Sequence, residues 1–247
     1  MSEVPEGLNL APPTRGMPRP SVTLTLTRDG VEGVEVLLGR RSETMRAFPG
    51  YWAFPGGGVS RSDKEVEGFI SNNSGAQDSA IVAVVREMSE ELGVVPIGNA
   101  LQSVRPELRA NILADKKAFL AAISSEEILT DTSCLRHISS RTTPPFGPVQ
   151  FENTFFHLHI GNDDFNPSLE LQTEFTAFEW MKPSDMIQRW SQHEIRVAPP
   201  VVTLLMELDR TLKRFEGDMI QTAEDLQRRQ PGRRSILFAY VHHQLEV

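Results

Sequence analysis

The chain has 247 residues, 39% of them hydrophobic, and a formal net charge of -8 at pH 7. That length supports one substantial hydrophobic core, and the acidic balance excludes a general nucleic-acid-binding surface, which needs a basic face. No apolar run approaches a membrane span, and the single cysteine, Cys134, excludes an internal disulfide framework and fits a reducing, cytoplasmic setting.

Residues 1–20 hold five prolines and little apolar content, which predicts an extended arm without a signal pattern. Ser21 to Thr27 alternates Val22, Leu24 and Leu26 with Thr23, Thr25 and Thr27, a strand pattern. A turn at Asp29-Gly30 leads to a second strand over Val34 to Leu38. Residues 39–58, rich in Arg, Gly and Pro, read as a long loop. A helix is expected from Ser79 to Leu92, stopped by Gly93. Residues 101–129 read as a helical insert, since Arg105 to Ile123 are mostly strong helix formers. Phe155 to Ile160 and Phe175 to Met181 read as strands. Pro199-Pro200 opens an amphipathic C-terminal helix over 199–215, where proline suits the first turn. Ile236 to Val241 reads as a last strand. Strands on both sides of a helix, with a terminal helix, imply a mixed α+β layered architecture. Cys134 has no ligand-like neighbours and is expected as a small buried residue.

The chemistry concentrates in Arg86-Glu87-Met88-Ser89-Glu90-Glu91-Leu92-Gly93-Val94. Helix positions three and four apart share a face, so Glu87, Glu90 and Glu91 project as one acidic edge. Clustered carboxylates repel one another and suit hard divalent cations such as Mg2+ or Mn2+. A solvated acidic helix face is the plainer reading of the same residues.

With Ala53-Phe54-Pro55-Gly56-Gly57 upstream, this stretch resembles the Nudix box, G-x5-E-x7-R-E-U-x-E-E-x-G-U with U aliphatic. The second half matches at Arg86, Glu87, Met88, Glu90, Glu91, Gly93 and Val94. Counting forward from Gly57 reaches Asp63 where the family has Glu, whereas counting back from Arg86 reaches Asp78. An insertion over 64–77 therefore splits the box; its Asn, Ser and Gly content reads as a loop. Asp78 is read as a cap of the acidic helix rather than a metal ligand. The resemblance implies a Nudix α/β/α sandwich with a mixed sheet, formed by a single domain over 21–247.

Leu37 to Gly57 also resembles the pattern of the coenzyme A diphosphatases of this superfamily, L-L-T-x-R-[SA]-x3-R-x3-G-x3-F-P-G-G. Leu37, Leu38, Arg41, Ser42, Arg46, Gly50, Phe54, Pro55, Gly56 and Gly57 fit it, and Gly39 departs where the pattern has Thr. Ser60 is a second departure, in the stretch after the glycines. Weaker likenesses downstream are similar to a longer branch with an enlarged box, which includes the peroxisomal coenzyme A diphosphatase.

The resemblance implies a pyrophosphatase-type hydrolase that cleaves coenzyme A or acyl-coenzyme A to adenosine 3',5'-bisphosphate and 4'-phosphopantetheine. Glu87, Glu90 and Glu91 would hold Mg2+ or Mn2+, with the Gly57 backbone carbonyl as a further ligand and Arg86 orienting a glutamate. Arg41, Ser42, Arg46, Gly56 and Gly57 would meet the substrate, the guanidinium groups pairing with phosphate oxygens. Glu87, instead of sharing a metal, or else Glu174 or Glu170, could serve as general base. The expected partner is a small nucleotide, with no nucleic acid and no membrane; a homodimer stays open. His157 and His159 lack a third ligand at metal spacing and read as the polar face of a half-buried strand. Trp52 and Phe54 read as core aromatics or as a surface for adenine. Two alternatives share the acidic helix: a Nudix hydrolase of ADP-ribose, a dinucleotide or a modified nucleotide, and a non-catalytic nucleotide-binding regulator.

Overall fold

The computed structural model describes residues 17–65, 78–143, 150–171 and 173–229. Its first half runs through strands β1 (Arg19–Gly30), β2 (Gly33–Arg41), β3 (Trp52–Ala53) and β4 (Gly56–Gly58) to a 3-10 turn at Ser62–Glu65. Helix α1 (Asp78–Glu87) continues into a π-helical turn at Met88–Leu92, followed by β5 (Val94–Ile97), β6 (Ala100–Ser103), α2 (Pro106–Ala114) and α3 (Lys117–Ser124). Then come β7 (Arg136–Thr142), β8 (Phe151–His159), β9 (Phe175–Met181), α4 (Pro183–Ser191), α5 (Pro199–Arg214) and α6 (Met219–Arg229).

The main sheet is mixed, in the order β3-β2-β1-β8-β7, with β4 added to β1 and β9 to β2. Strand β1 runs parallel to β8 and antiparallel to β2. Alternation sorts its side chains between two cores. Val22, Leu24 and Leu26 join Phe156, Leu158 and the apolar residues of α1, α2 and α3. Val36, Leu38 and Phe155 join α4, α5 and α6 on the other face. Helices cover both sides, so the α+β sandwich expected from the resemblance is the observed architecture. Helix α1 is buried along Ala80 to Glu87, because the sheet flanks it on one side and the α2–α3 insert on the other. Its small and β-branched residues let it pack that closely.

Several elements differ from the sequence expectation. The 101–129 insert is not one helix. It opens as β6, paired antiparallel to β5 across a turn where Gly98 has φ 61°. Pro106 lacks the N–H an extended helix would need and starts α2 instead. At Asp115 the backbone becomes extended, and its carboxylate accepts the Lys117 N–H at 3.0 Å, which breaks α2 and starts α3. The 39–58 loop is also partly strand. Strand β2 runs to Arg41, and Gly56 to Gly58 pair with Ser21 to Thr23. Gly56 has φ 146°, and a Cβ there would lie 2.3 Å from the Val22 carbonyl oxygen, so only glycine permits the pairing.

Cys134 is exposed in a turn, while its neighbour Leu135 takes the buried place. His157 is buried rather than half-exposed. Thr27 Oγ1 bonds its Nε2 at 2.8 Å and the His159 Nδ1 at 3.0 Å. Burial, then the neighbouring His159 and Arg136, pushes His157 down to about 3, so it is neutral at physiological pH. Strand β7, which carries no clear apolar period, and the amphipathic helices α4 and α6 are additions to the expected set. Residues 19 and 20 of the expected arm belong to β1; 1–16, 66–77 of the box insertion and the expected strand at 236–241 lie outside the described residues.

Phe156 is wholly buried on β8 beside α1. Phe156→Ala is expected to lower the unfolding free energy by about 3–5 kcal/mol, read from denaturant unfolding. A loss under about 1 kcal/mol, the size of an ordinary surface change, would remove it from the core.

Candidate active site

The site forms where the end of α1 and the π turn meet β4. A π turn shifts the helical register by one residue, and Gly93 ends it in the left-handed conformation, φ 72°, its N–H bonding the Met88 carbonyl. Glu87, Glu90 and Glu91 are all buried there, Glu91 to 3% exposure.

Arg86 is the fixed point among them. Its fully buried guanidinium uses all five N–H donors. Nε donates to Asp63 Oδ1 at 2.9 Å, and Nη2 to Asp63 Oδ2 at 3.0 Å and the Gly58 carbonyl at 2.9 Å. Nη1 donates to Glu87 Oε1 at 2.8 Å and Glu90 Oε1 at 2.9 Å. Burial works against this charge, but the hydrogen bonds of Asp63 and the charges of Glu87, Glu90 and Asp63 outweigh it and hold Arg86 above its ordinary value. Of the two aspartates the split box left open, Asp63 is the one beside Arg86. The 3-10 turn carries it inward, and Ser60 holds it reciprocally: its N–H donates to Asp63 Oδ2 at 2.7 Å and its Oγ accepts the Asp63 N–H at 3.2 Å. Ser60, a departure from the family pattern, thus fixes that turn. Asp78 opens α1, eight residues or about 12 Å of helix away.

The glycine strand supplies the other wall. Gly56 N–H donates to Glu91 Oε2 at 2.7 Å. A Cβ on Gly57 would lie 2.4 Å from Glu87 Oε1, so glycine is what admits the carboxylate. Glu174, just before β9, joins from the far side. Burial first, then the charge of Glu87, raises its proton affinity, against Arg41 and Lys116. Glu91 is raised well above the usual range by burial and the charges of Glu87 and Glu174. Glu87 is raised by burial, with Arg86 opposing.

Arg41 therefore sits among the charges acting on these acids, whereas Arg46 is exposed on its loop and is not one of them. Ser42 acts through its backbone, donating its N–H to the Glu174 carbonyl at 2.7 Å; its hydroxyl bonds Thr44. Glu170 is exposed and does not join the cluster. Trp52 and Phe54 are packed into the α4–α6 core and offer no open stacking face. Gly39 departs from the family pattern because a Cβ there would meet Phe175 Cδ1 at 2.4 Å. Two insert residues escaped the sequence reading. Lys116 Nζ lies 4.0 Å from Glu87 Oε1, and Arg109 bonds the carbonyls of Glu90 and Glu91. Neither has a sequence signal, since a helical basic residue is ordinarily a solvated one.

Among the described residues no three acids stand close enough together to enclose an ion as they are placed. Arg86 holds one oxygen of Glu87 and one of Glu90, so each carboxylate can present its other oxygen by turning about its terminal bond. The donor chemistry fits a hard cation: buried carboxylate oxygens, those of Glu87 and Glu91 with raised proton affinity, set against a cradle that a Cβ would fill.

Residues 17–116 match the family model described as the NUDIX domain. That stretch of the chain is thus similar to a Nudix domain. A Caenorhabditis elegans protein provisionally named as nudix hydrolase 7 is 27% identical over 184 residues, 71% of this chain and 56% of that protein. The chain thus spans little more than half the length of that curated relative. The crystal structure of a NUDIX hydrolase from Alicyclobacillus acidocaldarius matches with a TM-score of 0.72 and 27% identity, covering 85% of this chain and 97% of the other. The Nudix likeness therefore reaches past the family match into the later strands and helices.

Gly57→Ala is expected to weaken Mn2+ binding about 10-fold or more, as loss of a supporting contact does, measured by calorimetry; unchanged affinity would separate the glycine strand from the acids. The raised proton affinities also set a pH dependence. Relative to the ordinary glutamate value of 4.5, Glu87, Glu91 and Glu174 hold protons longer in the native state. The native state then binds more protons than the unfolded chain above that value, so this contribution to stability falls as pH rises and returns as pH drops. Metal-free protein is expected to lose melting temperature relative to Glu91→Gln as pH rises above the ordinary glutamate value of 4.5, and Mn2+ to reverse the loss. Parallel melting profiles for the two proteins would contradict it.

Proposed function

We propose that the chain is a metal-dependent hydrolase that cleaves a diphosphate linkage in a nucleoside diphosphate derivative, residues 21–247 acting as one Nudix domain. The carrying observation is the buried turn in which Arg86 holds Glu87 and Glu90 while the Gly56 N–H holds Glu91, with Gly57 leaving room for the Glu87 carboxylate. A diphosphate resists attack because its anionic oxygens repel nucleophiles. Divalent ions held by Glu87, Glu90, Glu91 and the Gly57 carbonyl would neutralise that charge and lower the pKa of a bound water. Glu174 takes the water's proton as the new O–P bond forms and the bridging O–P bond breaks, with the bridging oxygen leaving on the second product. Its proton affinity, raised by burial and by the charge of Glu87, suits a proton acceptor. Arg41, whose charge acts on Glu91 and Glu174, would pair with substrate phosphate. Arg86, with every donor engaged, orients the glutamates and does not touch substrate.

The substrate class we favour is coenzyme A or acyl-coenzyme A, giving adenosine 3',5'-bisphosphate and 4'-phosphopantetheine. The support is the matched spacing from Leu37 to Gly57. Its glycine departure at position 39 has a local packing cause in Phe175 and Phe178 rather than a role in the site.

Hydrolysis of coenzyme A, ADP-ribose and NADH is to be compared with Mg2+ and with Mn2+. Faster turnover of coenzyme A is expected, and Glu91→Gln is expected to reduce kcat by about 10²–10³ without lowering the melting temperature of the metal-free protein. Equal or absent turnover of coenzyme A beside an active alternative removes the substrate assignment and leaves the reaction class. Metal-dependent stabilisation with no hydrolysis across the panel favours a nucleotide-binding regulator.

A further inference from the structure

Arg109, on α2 of the insert, is buried to 6% exposure, yet its hydrogen-bond partners are backbone carbonyls. Its Nε and Nη2 donate to the Glu90 carbonyl at 3.1 and 3.0 Å, and Nη2 also to the Glu91 carbonyl at 3.1 Å. Its Nη1 donates to the Glu170 carbonyl at 3.1 Å. The first two carbonyls belong to the turn carrying the acidic cluster. The third belongs to the loop that leads into Glu174.

We propose that Arg109 is a positioning residue that clamps the Glu90–Glu91 turn to the Glu174 loop, so that metal-binding acids and general base are held as one unit. The last carbonyls of a helix have no intrahelical partner, and a cation there also meets the negative end of the helix dipole. Satisfying them would need only water or a small polar group. A buried guanidinium is an expensive choice, and what its planar fork adds is reach in two directions at fixed geometry. Gly93 serves the clamp too. A Cβ at Gly93 would lie 3.1 Å from Arg109 Nη1, so the residue that ends the π turn also leaves room for the guanidinium. The insert thereby contributes to the reaction without a side chain in contact with substrate. Lysine at this position keeps the charge but cannot bridge both segments.

This inference rests on the proposed role of Glu174, so the experiment separates the two. Arg109→Lys, Glu174→Gln and the double variant are assayed with Mn2+ on the fastest-turning diphosphate of the panel, beside Ile112→Val as a buried change on the same helix. Arg109→Lys is expected to lower kcat about 10- to 100-fold, the scale of a misplacement near 1 Å, with KM nearly unchanged. The double variant is expected to be no slower than Glu174→Gln alone. Amide exchange should quicken in both 88–93 and 166–175 for Arg109→Lys, and in neither for Ile112→Val. Losses that multiply in the double variant overturn the clamp, as does unchanged exchange over 166–175. Full activity of Glu174→Gln removes the base assignment alone; the exchange measurement then decides the clamp, quickening of both segments supporting it.

Discussion

One guanidinium, fully enclosed, shares its five donors among three carboxylates and a carbonyl. Arg86 cannot lose its proton, so it fixes where the negative groups may lie. It neutralises one charge of the three it touches and none of Glu91 or Glu174. The remainder is an excess of negative charge in a region of low dielectric, where each further carboxylate is costly unless a cation arrives. Desolvation and repulsion thus build a demand for cations into the fold, although the chain as a whole is acidic.

The stability of that arrangement comes from its surroundings. Helix α1 is buried on all sides between sheet and insert, so the turn that follows it has little freedom. The glycine strand hydrogen-bonds into β1 through Ser21 to Thr23, which ties the opposite wall to the central sheet. Glu174 has the weaker support of a loop end, its carbonyl fastened by the Ser42 N–H, while Arg109 bonds the Glu170 carbonyl four residues earlier. Rigid elements carry the acids and a loop end carries Glu174, the base proposed above, a division between a site's fixed and adjustable parts.

How much of this was legible before the fold depended on the range of the signal. The helical spacing of Glu87, Glu90 and Glu91 is local, and so is the alternation of β1 and β9, whose residues Phe175 to Met181 were read with the observed bounds. Strand β7 was not legible, because its buried positions include Ser139 and Arg141 and its alternation is not apolar. Residues 39–58 looked like loop because glycine and proline pair through backbone alone. Cys134, expected to be buried, is exposed, and His157, expected on the polar face of a half-buried strand, is buried, since burial of a single residue is set by what packs over it.

The sequence by itself determined that three acids share one helical edge, that glycines stand ready to approach them, and that a split box separates the two. Those facts follow from helix period and from residues three to seven apart. Only the tertiary structure decided that Asp63 rather than Asp78 meets Arg86, that Glu174 rather than Glu170 joins the acids, and that Lys116 and Arg109 reach in from the insert. The reason is distance along the chain: these contacts join segments tens of residues apart, and no local period encodes which of two similar side chains the folded backbone will bring within hydrogen-bond reach.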